Sequence, residues 1–230
     1  MAEEWLSREE ALIGEENVKK LISACVTVFG AGGVGSYVIE ALARAGIGSI
    51  TVVDGDTASV SNINRQLIAD TTTLGMKKSD IACERIRRIN PNCNAVSICE
   101  FADGENTFSI IESSHPDFIV DAIDCVPTKL LIAEYAADNN IPMIASMGTG
   151  NKLDPSKLQI SDISKTSVCP LARVMRQKLR QKGINHLPVL FSTEMPVKTD
   201  CRVPASISFV PSAAGLIIAA YVVRKIIGDI

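Results

Sequence analysis

The sequence contains no C-x-x-C pair, and its seven cysteines are an odd number. Neither a zinc knuckle nor a disulfide framework is therefore suggested, and reduced thiols in a cytoplasmic protein are the simple reading. Charge excess is lacking too. With a net charge of -3 there is no global attraction to nucleic acid or an acidic membrane, so a polyanion must be held by a local patch. No basic-then-apolar leader precedes Val26, because the first sixteen residues carry six glutamates. The longest apolar run, 209–223, is interrupted by Pro211 and falls short of the about 20 residues a bilayer requires. It reads as a strand end followed by a core helix, with Ser212 as N-cap, Gly215 permitting close packing, and Arg224 and Lys225 complementing the helix C-terminus. His115 and His186 stand alone and receive no role.

The sequence is organised around residues 26–36. A β-branched run, Val26, Thr27 and Val28, stops at Gly30, Gly32, Gly33 and Gly35, and Val38, Ile39, Leu42 and Ala43 then follow a helical period. Strand, tight turn and helix make a phosphate cradle, because glycines allow close backbone approach and a helix N-terminus presents N–H groups to an anion. The G-x-G-x-x-G spacing alone fits nicotinamide, flavin and adenine nucleotides equally. Strand two, 49–53, ends at Asp54 and Asp56, where a ribose would sit if the glycines hold phosphates.

The next segment separates these readings. Asn62, Arg65 and Gln66 follow the second strand, and Lys77 and Lys78 open a helix. A nicotinamide site has little use for cations here. A site that cleaves a triphosphate needs them, because its transition state spreads negative charge over the α-phosphate and the leaving pyrophosphate. The alternative is a solvated polar loop and helix start. A third strand at 94–101, a short helix at 105–112 and an apolar strand at 117–122 lead to Asp121 and Asp124. Asp124 suits a magnesium ligand at the carboxyl end of a central strand, or an N-cap for a helix over 128–138, while Asp121 caps or braces the loop. Strand five, 142–147, ends in a second flexible turn, Gly148 to Gly150.

The N-terminal segment, 3–23, has a helical period with Trp5, Leu6, Leu12, Ile13, Val18 and Leu21 as its apolar set. Beyond residue 150, strands are predicted over 158–163 and 189–191, and Pro170 starts a helix. That helix carries Arg173, Arg176, Lys178, Arg180 and Lys182 with no acid among them, which fits either a polyanion dock or a solvated face. The polar stretch 192–205, with Pro196 and Pro204, predicts a mobile loop.

With the glycine loop come Asp54-x-Asp56, Asn62-x-x-Arg65-Gln66, Gly75-x-x-Lys78 and Asp124, and in this order the chain resembles the ubiquitin-activating-enzyme superfamily, in its bacterial ThiF, MoeB and HesA branch. The resemblance implies an α/β fold: a Rossmann-like, mostly parallel sheet with helices on both faces. It further implies one adenylating domain, with an N-terminal helical arm (1–24), a nucleotide-binding core (25–150) and a C-terminal antiparallel extension (151–230). Asp54 would bind the ATP ribose, Asn62, Arg65 and Lys78 the phosphates, and Asp124 Mg²⁺. It also implies a homodimer in which Arg8 reaches the neighbour's triphosphate. The segments 62–66, 121–124, 150–155 and 165–172 are similar to the tRNA-modifying dehydratases of this superfamily, whose ATP-dependent reaction cyclises a threonylcarbamoyl group on adenosine. The absent C-x-x-C pairs depart from the MoeB and ThiF pattern and weigh against a sulfur-carrier adenylyltransferase. Alternatives are an activating enzyme for a ubiquitin-like or sulfur-carrier protein, a nicotinamide-dependent oxidoreductase, and a nucleotide-sensing adaptor for a cysteine desulfurase. Cys201 lies where thioester-forming relatives place a cysteine, and reads as a nucleophile or an incidental loop thiol.

Overall fold

The computed structural model describes residues 4–200 and 203–228, so Cys201 lies outside the described residues. A seven-stranded sheet is built in the order β3-β2-β1-β4-β5-β7-β6. Its strands are β1 (Cys25–Phe29), β2 (Ser49–Val53), β3 (Asn94–Ile98), β4 (Phe118–Asp121), β5 (Met143–Ser146), β6 (Leu158–Asp162) and β7 (Pro188–Ser192). All neighbours run parallel except β6, which is antiparallel to β7. The antiparallel character expected of the C-terminal extension thus belongs to the edge strand alone, since β7 joins β5 in the parallel sense.

Parallel strands need crossovers, and the helices that supply them cover both faces. On one face, α3 (Gly35–Arg44), α4 (Lys78–Ile89) and α8 (Phe209–Ile227), with α2 (Glu15–Ser23), bury Leu21, Val38, Leu42, Ile86, Ile218 and Val222 against Val26, Val28, Ile50 and Val120. On the other, α5 (Thr107–Ser114), α6 (Val126–Asp138) and α7 (Pro170–Gln181) bury Ile111, Ile132, Met175 and Leu179 against Phe29, Ile119 and Phe191. Alternate residues of β1 and β4 therefore face opposite layers, which is why both strands are apolar on both faces but for Thr27 and the terminal Asp121.

Two local expectations are corrected. The N-terminal helix is broken: α1 (Ser7–Ile13) ends at Gly14, whose φ of 85° puts it in the left-handed region, and α2 restarts at Glu15. Leu12, placed in the apolar set, is 83% exposed, and Trp5 is 41% exposed. At the other end, α8 begins at Phe209 rather than following a strand end, and Ser212 is inside it, donating its hydroxyl to the Phe209 carbonyl. Pro211 is tolerated there because the first turn's N–H groups have no helical partner to lose. The expectation of a core helix holds. A Cβ on Gly215 would lie 2.5 Å from the Val34 carbonyl oxygen and 2.7 Å from Tyr37 Cβ, so α8 and α3 pack at backbone contact.

Candidate active site

The strand order reverses about β1: β2 and β3 lie to one side, β4 and β5 to the other. Such a reversal opens a crevice beyond the carboxyl ends of the strands, where open α/β sheets bind ligands. The register pairs Phe29 with Val53 and with Asp121, so Gly30, Asp54 and the turn after Asp121 come to the same edge.

The turn itself requires its glycines. Gly30 has φ +90°, and a Cβ there would lie 2.9 Å from the Ala122 carbonyl oxygen. A Cβ on Gly35 would lie 1.8 Å from the Gly30 carbonyl oxygen, so no side chain fits where α3 starts. Beside Gly32, by contrast, Gln66 Nε2 is the nearest atom at 3.9 Å, which leaves room in front of the loop. No side chain caps the N-terminus of α3, but the Ser36, Tyr37 and Val38 N–H groups already donate to the Gly32 and Val34 carbonyls, so the N–H groups left to meet a ligand are those of the glycine turn ahead of them. Asp54 braces the loop: its Oδ2 accepts from the Ala31 N–H at 2.7 Å and its Oδ1 from the Asp56 N–H at 2.9 Å. A carboxylate has about four acceptor sites, so these two bonds leave capacity for a ribose hydroxyl.

The polar residues after β2 gather round this loop. Arg65 is half-buried, its Cγ is 3.5 Å from a Cβ built on Gly33, and its Nη1 donates to the Ser61 carbonyl at 2.7 Å and to Asn64 Oδ1 at 2.9 Å. Asn62 is buried, and its Oδ1 accepts from the Ser59 N–H. Gln66 is buried as well, and its Oε1 finds no hydrogen-bond partner. The amide nitrogen, not this oxygen, is the Gln66 atom nearest the glycine turn. Lys78, first residue of α4, is only 5% exposed, with Nζ 2.8 Å from Asp56 Oδ2. The solvated-helix alternative therefore does not hold for Lys78.

Asp124 is exposed at the end of β4, and Cys125, not Asp124, occupies the N-cap position of α6. Mg²⁺ binds through one or two carboxylates plus phosphate oxygens, and an accessible carboxylate just beyond β4 is of the kind it takes. Among the described residues no cluster of three or more metal-ligating side chains exists, so the fit is to an ion arriving with a nucleotide. Asp121 is a brace, as one reading of the sequence expected: its Oδ1 accepts from the Ile123 N–H. Burial raises its pKa, and the nearby Lys129 ammonium partly opposes the rise.

Lys129 was invisible to sequence reasoning. It is fully buried, its Nζ lies 2.9 Å from Asp121 Oδ2, and it donates to the Ile123 and Ser146 carbonyls at 3.2 and 2.9 Å. The contact with Asp121 Oδ2 is an ion pair lacking hydrogen-bond alignment, since that oxygen has no bonded donor. No motif or spacing marks it: it is one lysine ahead of the apolar run from Leu130 to Ala133 on a helix that also carries Glu134 and Asp138.

The stretch after β7 is tied down at several points. Glu194 accepts from the Leu153 and Asp154 N–H groups, bonds that hold its pKa below the usual carboxylate range, and the buried Lys152 donates to the Glu194 carbonyl. A carboxylate with a lowered folded-state pKa contributes above its unfolded value and loses that contribution as pH falls through the folded value. Amide exchange at Leu153 and Asp154 is accordingly expected to quicken, relative to neighbouring amides, as pH drops below the ordinary glutamate range. Equal protection throughout that range would refute the tether.

Other predicted residues are not brought to the crevice. Arg8 is exposed on α1, and Leu6 just before it packs on Gly46, ahead of β2 at the opposite edge of the sheet. On α7, Arg173, Lys178 and Arg180 are exposed, whereas Arg176 donates to the Thr166 carbonyl and hydroxyl, and Lys182 pairs with Glu134 at 2.7 Å. The basic face is thus smaller than its sequence count. A cleft of about 460 Å³ lined by Lys20, Asp117, Phe118 and Lys225 opens where the strands begin, away from the glycine turn.

Residues 6–230 match the ThiF family. The chain is 40% identical to the tRNA threonylcarbamoyladenosine dehydratase of Bacillus subtilis (strain 168), over 97% of this chain and 95% of that protein. It is 37% identical to the Escherichia coli (strain K12) enzyme of the same description, over 80% of this chain and 71% of that one. The crystal structure of the E. coli dehydratase TcdA in complex with ATP superimposes with a TM-score of 0.91 at 32% identity, covering 97% of this chain and 94% of that one. The same protein has also been crystallised with AMP.

Proposed function

The chain belongs to the ThiF family, and from that premise we propose that it is an ATP-dependent tRNA threonylcarbamoyladenosine dehydratase. The observation that carries the reading is the convergence of Arg65, Gln66 and the uncapped start of α3 on one glycine turn, with Lys78 beside the braced end of β2. A carboxylate is a poor electrophile until its oxygen becomes a good leaving group. Its oxygen attacks the α-phosphorus of ATP and pyrophosphate leaves. A carbamoyl atom of the same side chain then attacks the activated carbonyl carbon, closes the ring and expels AMP, so the nucleoside has lost one water. Ring closure is intramolecular and has a high effective molarity, so no cysteine nucleophile is required.

In this reading Arg65 and the glycine turn ahead of α3 hold the β- and γ-phosphates, Lys78 stabilises charge developing near the α-phosphate, and Asp54 takes the ribose. Asn62 supports the phosphate segment from within, and Asp56 sets the position of the Lys78 ammonium. Mg²⁺, held by Asp124 and the phosphates, would offset negative charge on the departing pyrophosphate. Purified protein incubated with threonylcarbamoyladenosine-bearing tRNA, ATP and Mg²⁺ is expected to yield a nucleoside lighter by one water. Pyrophosphate exchange stimulated by a small protein ending in Gly-Gly, and not by tRNA, would instead establish a carrier-protein activating enzyme.

The tRNA is proposed to dock on the exposed cations of α7. Changing Arg173, Lys178 and Arg180 together to alanine is expected to weaken tRNA binding about uniformly across sequences and to flatten its salt dependence by roughly one unit of slope for each phosphate no longer neutralised, with ATP binding unchanged. An unaltered salt slope removes α7 from the interface. We further assign Arg8 to the crevice of a second copy. Mixing Arg8→Ala with Asp124→Ala subunits is then expected to restore about a quarter of wild-type activity, because one crevice in each mixed dimer regains both residues and half of random dimers are mixed. No restoration on mixing rules out the shared site. We further propose a cysteine desulfurase or sulfur-acceptor protein as a partner, and a cytoplasmic location.

A further inference from the structure

Asn64, inside the 62–66 segment but given no role of its own by the sequence, joins Arg65 to a segment far along the chain. Its Oδ1 accepts from Arg65 Nη1 at 2.9 Å, and its Nδ2 donates to the Ser206 carbonyl at 3.1 Å. Arg65 Nη1 spends its other proton on the Ser61 carbonyl, so the guanidinium plane is fixed while Nε and Nη2 stay available for phosphate oxygens.

The far end of this contact is equally fixed. Next to Ser206, Ala205 is clasped by Asn151: the Asn151 N–H donates to the Ala205 carbonyl, and the Ala205 N–H donates to Asn151 Oδ1, each at 2.7 Å. Asn151 also accepts from the Val197 N–H at 2.7 Å through its own carbonyl. Its φ of 57° lies in the left-handed region, which asparagine tolerates better than most residues. Before it, a Cβ on Gly150 would lie 2.8 Å from Pro204 Cβ and 3.3 Å from the Ala205 carbonyl oxygen, so this turn and the segment 203–206 are closely packed. A continuous hydrogen-bonded line therefore runs from Arg65, beside the glycine turn, through Asn64, Ser206 and Ala205 to the turn that follows β5.

An amide suits this position because one end accepts from a guanidinium while the other donates to a carbonyl. A Cβ on Gly148, in the turn after β5, would lie 3.9 Å from Leu171 Cβ at the start of α7, the helix proposed to dock tRNA. We propose that Asn64 is a positioning residue that couples the grip of Arg65 on the triphosphate, through residues 203–206 and the turn after β5, to the placement of α7, so that ATP and the polynucleotide substrate bind with linked affinities. Linkage is reciprocal: whatever tRNA contributes to nucleotide affinity, the nucleotide returns to tRNA.

This rests on the dehydratase reading, and the test separates the two. Calorimetric binding of α,β-methylene ATP is measured with and without threonylcarbamoyladenosine-bearing tRNA. Wild-type protein is expected to bind the analogue about fivefold tighter when tRNA is present, the size of one net hydrogen bond. Asn64→Ala is expected to reduce that ratio to about one. In an Arg65→Lys background, Asn64→Ala is expected to have no further effect on the ratio, because its partner is already displaced. A role confined to folding would lower the melting temperature and weaken both ligands without changing the ratio. Persistence of the wild-type ratio in Asn64→Ala, additive effects of the two substitutions, or no ratio in the wild type would each overturn the coupling while leaving the dehydratase reading intact. A wild-type protein that turns over no modified tRNA overturns that reading first, and the coupling with it.

Discussion

Lys78→Met is expected to lower kcat/KM for adenylate formation by roughly 10²–10³-fold, the usual consequence of removing one preorganised donor from a developing oxyanion. Methionine is the informative replacement because Lys78 is 5% exposed. Alanine would open a cavity in the wall of the crevice and confuse packing with chemistry. Methionine preserves the stem and removes only the ammonium. The carboxylate left behind, Asp56, has a side chain 54% exposed and remains solvated, so its desolvation cost is small. The expected pattern is therefore a large loss of rate with a melting temperature within a few degrees of wild type, checked by pyrophosphate release and calorimetry on the same preparation. A loss of rate that tracks a collapse in melting temperature would mean that Lys78 holds the start of α4 and does not meet the nucleotide.

Lys129→Met is expected to act the other way round, on stability first. Lys129 and Asp121 both have side chains that are 0% exposed, and removing one partner of such a pair leaves a buried charge uncompensated, at about 3–5 kcal/mol. Unfolding in denaturant measures it directly. The loss should depend on pH with a defined sign. Burial already raises the pKa of Asp121, and without the opposing ammonium it rises further. A carboxyl with a raised folded-state pKa favours folding below its unfolded value, and that advantage fades as pH increases through the folded one. The variant should consequently fall furthest behind wild type near neutral pH and recover part of the gap in acid. Pairing it with Asp121→Asn, which removes the charge while keeping an acceptor for the Ile123 N–H, should recover much of the loss at neutral pH. A deficit independent of pH, and untouched by Asp121→Asn, would show that Lys129 contributes packing alone.

These two lysines illustrate how differently the sequence disclosed them. Lys78 follows Gly75 at a motif spacing, so its chemistry was legible, but its burial and its pairing with Asp56 were not. Lys129 sits in no motif, because its partners are a side chain eight positions earlier, a carbonyl of the loop after β4 and the carbonyl at the end of β5. Arg176 and Lys182 erred in the opposite direction. Both belong to a run of cations on one helix, yet one closes the turn before α7 and the other pairs with Glu134 on α6. Gly14 broke an apparently continuous helix because periodicity on its own does not register a left-handed turn between two short helices.

Local order was written in the sequence. The glycine turn, the apolar strands and the succession of strands and helices arise from backbone sterics and hydrophobic period, which act between residues close together in the chain. The carboxylates at the ends of β2 and β4 were legible for the same reason. Which cations stay free, which carboxylates brace a loop, and how Asn64 and Asn151 tie distant segments together were decided only by tertiary structure. Charge pairing and burial depend on what packs opposite a side chain, and in a parallel sheet that neighbour is brought in by a crossover from far along the chain.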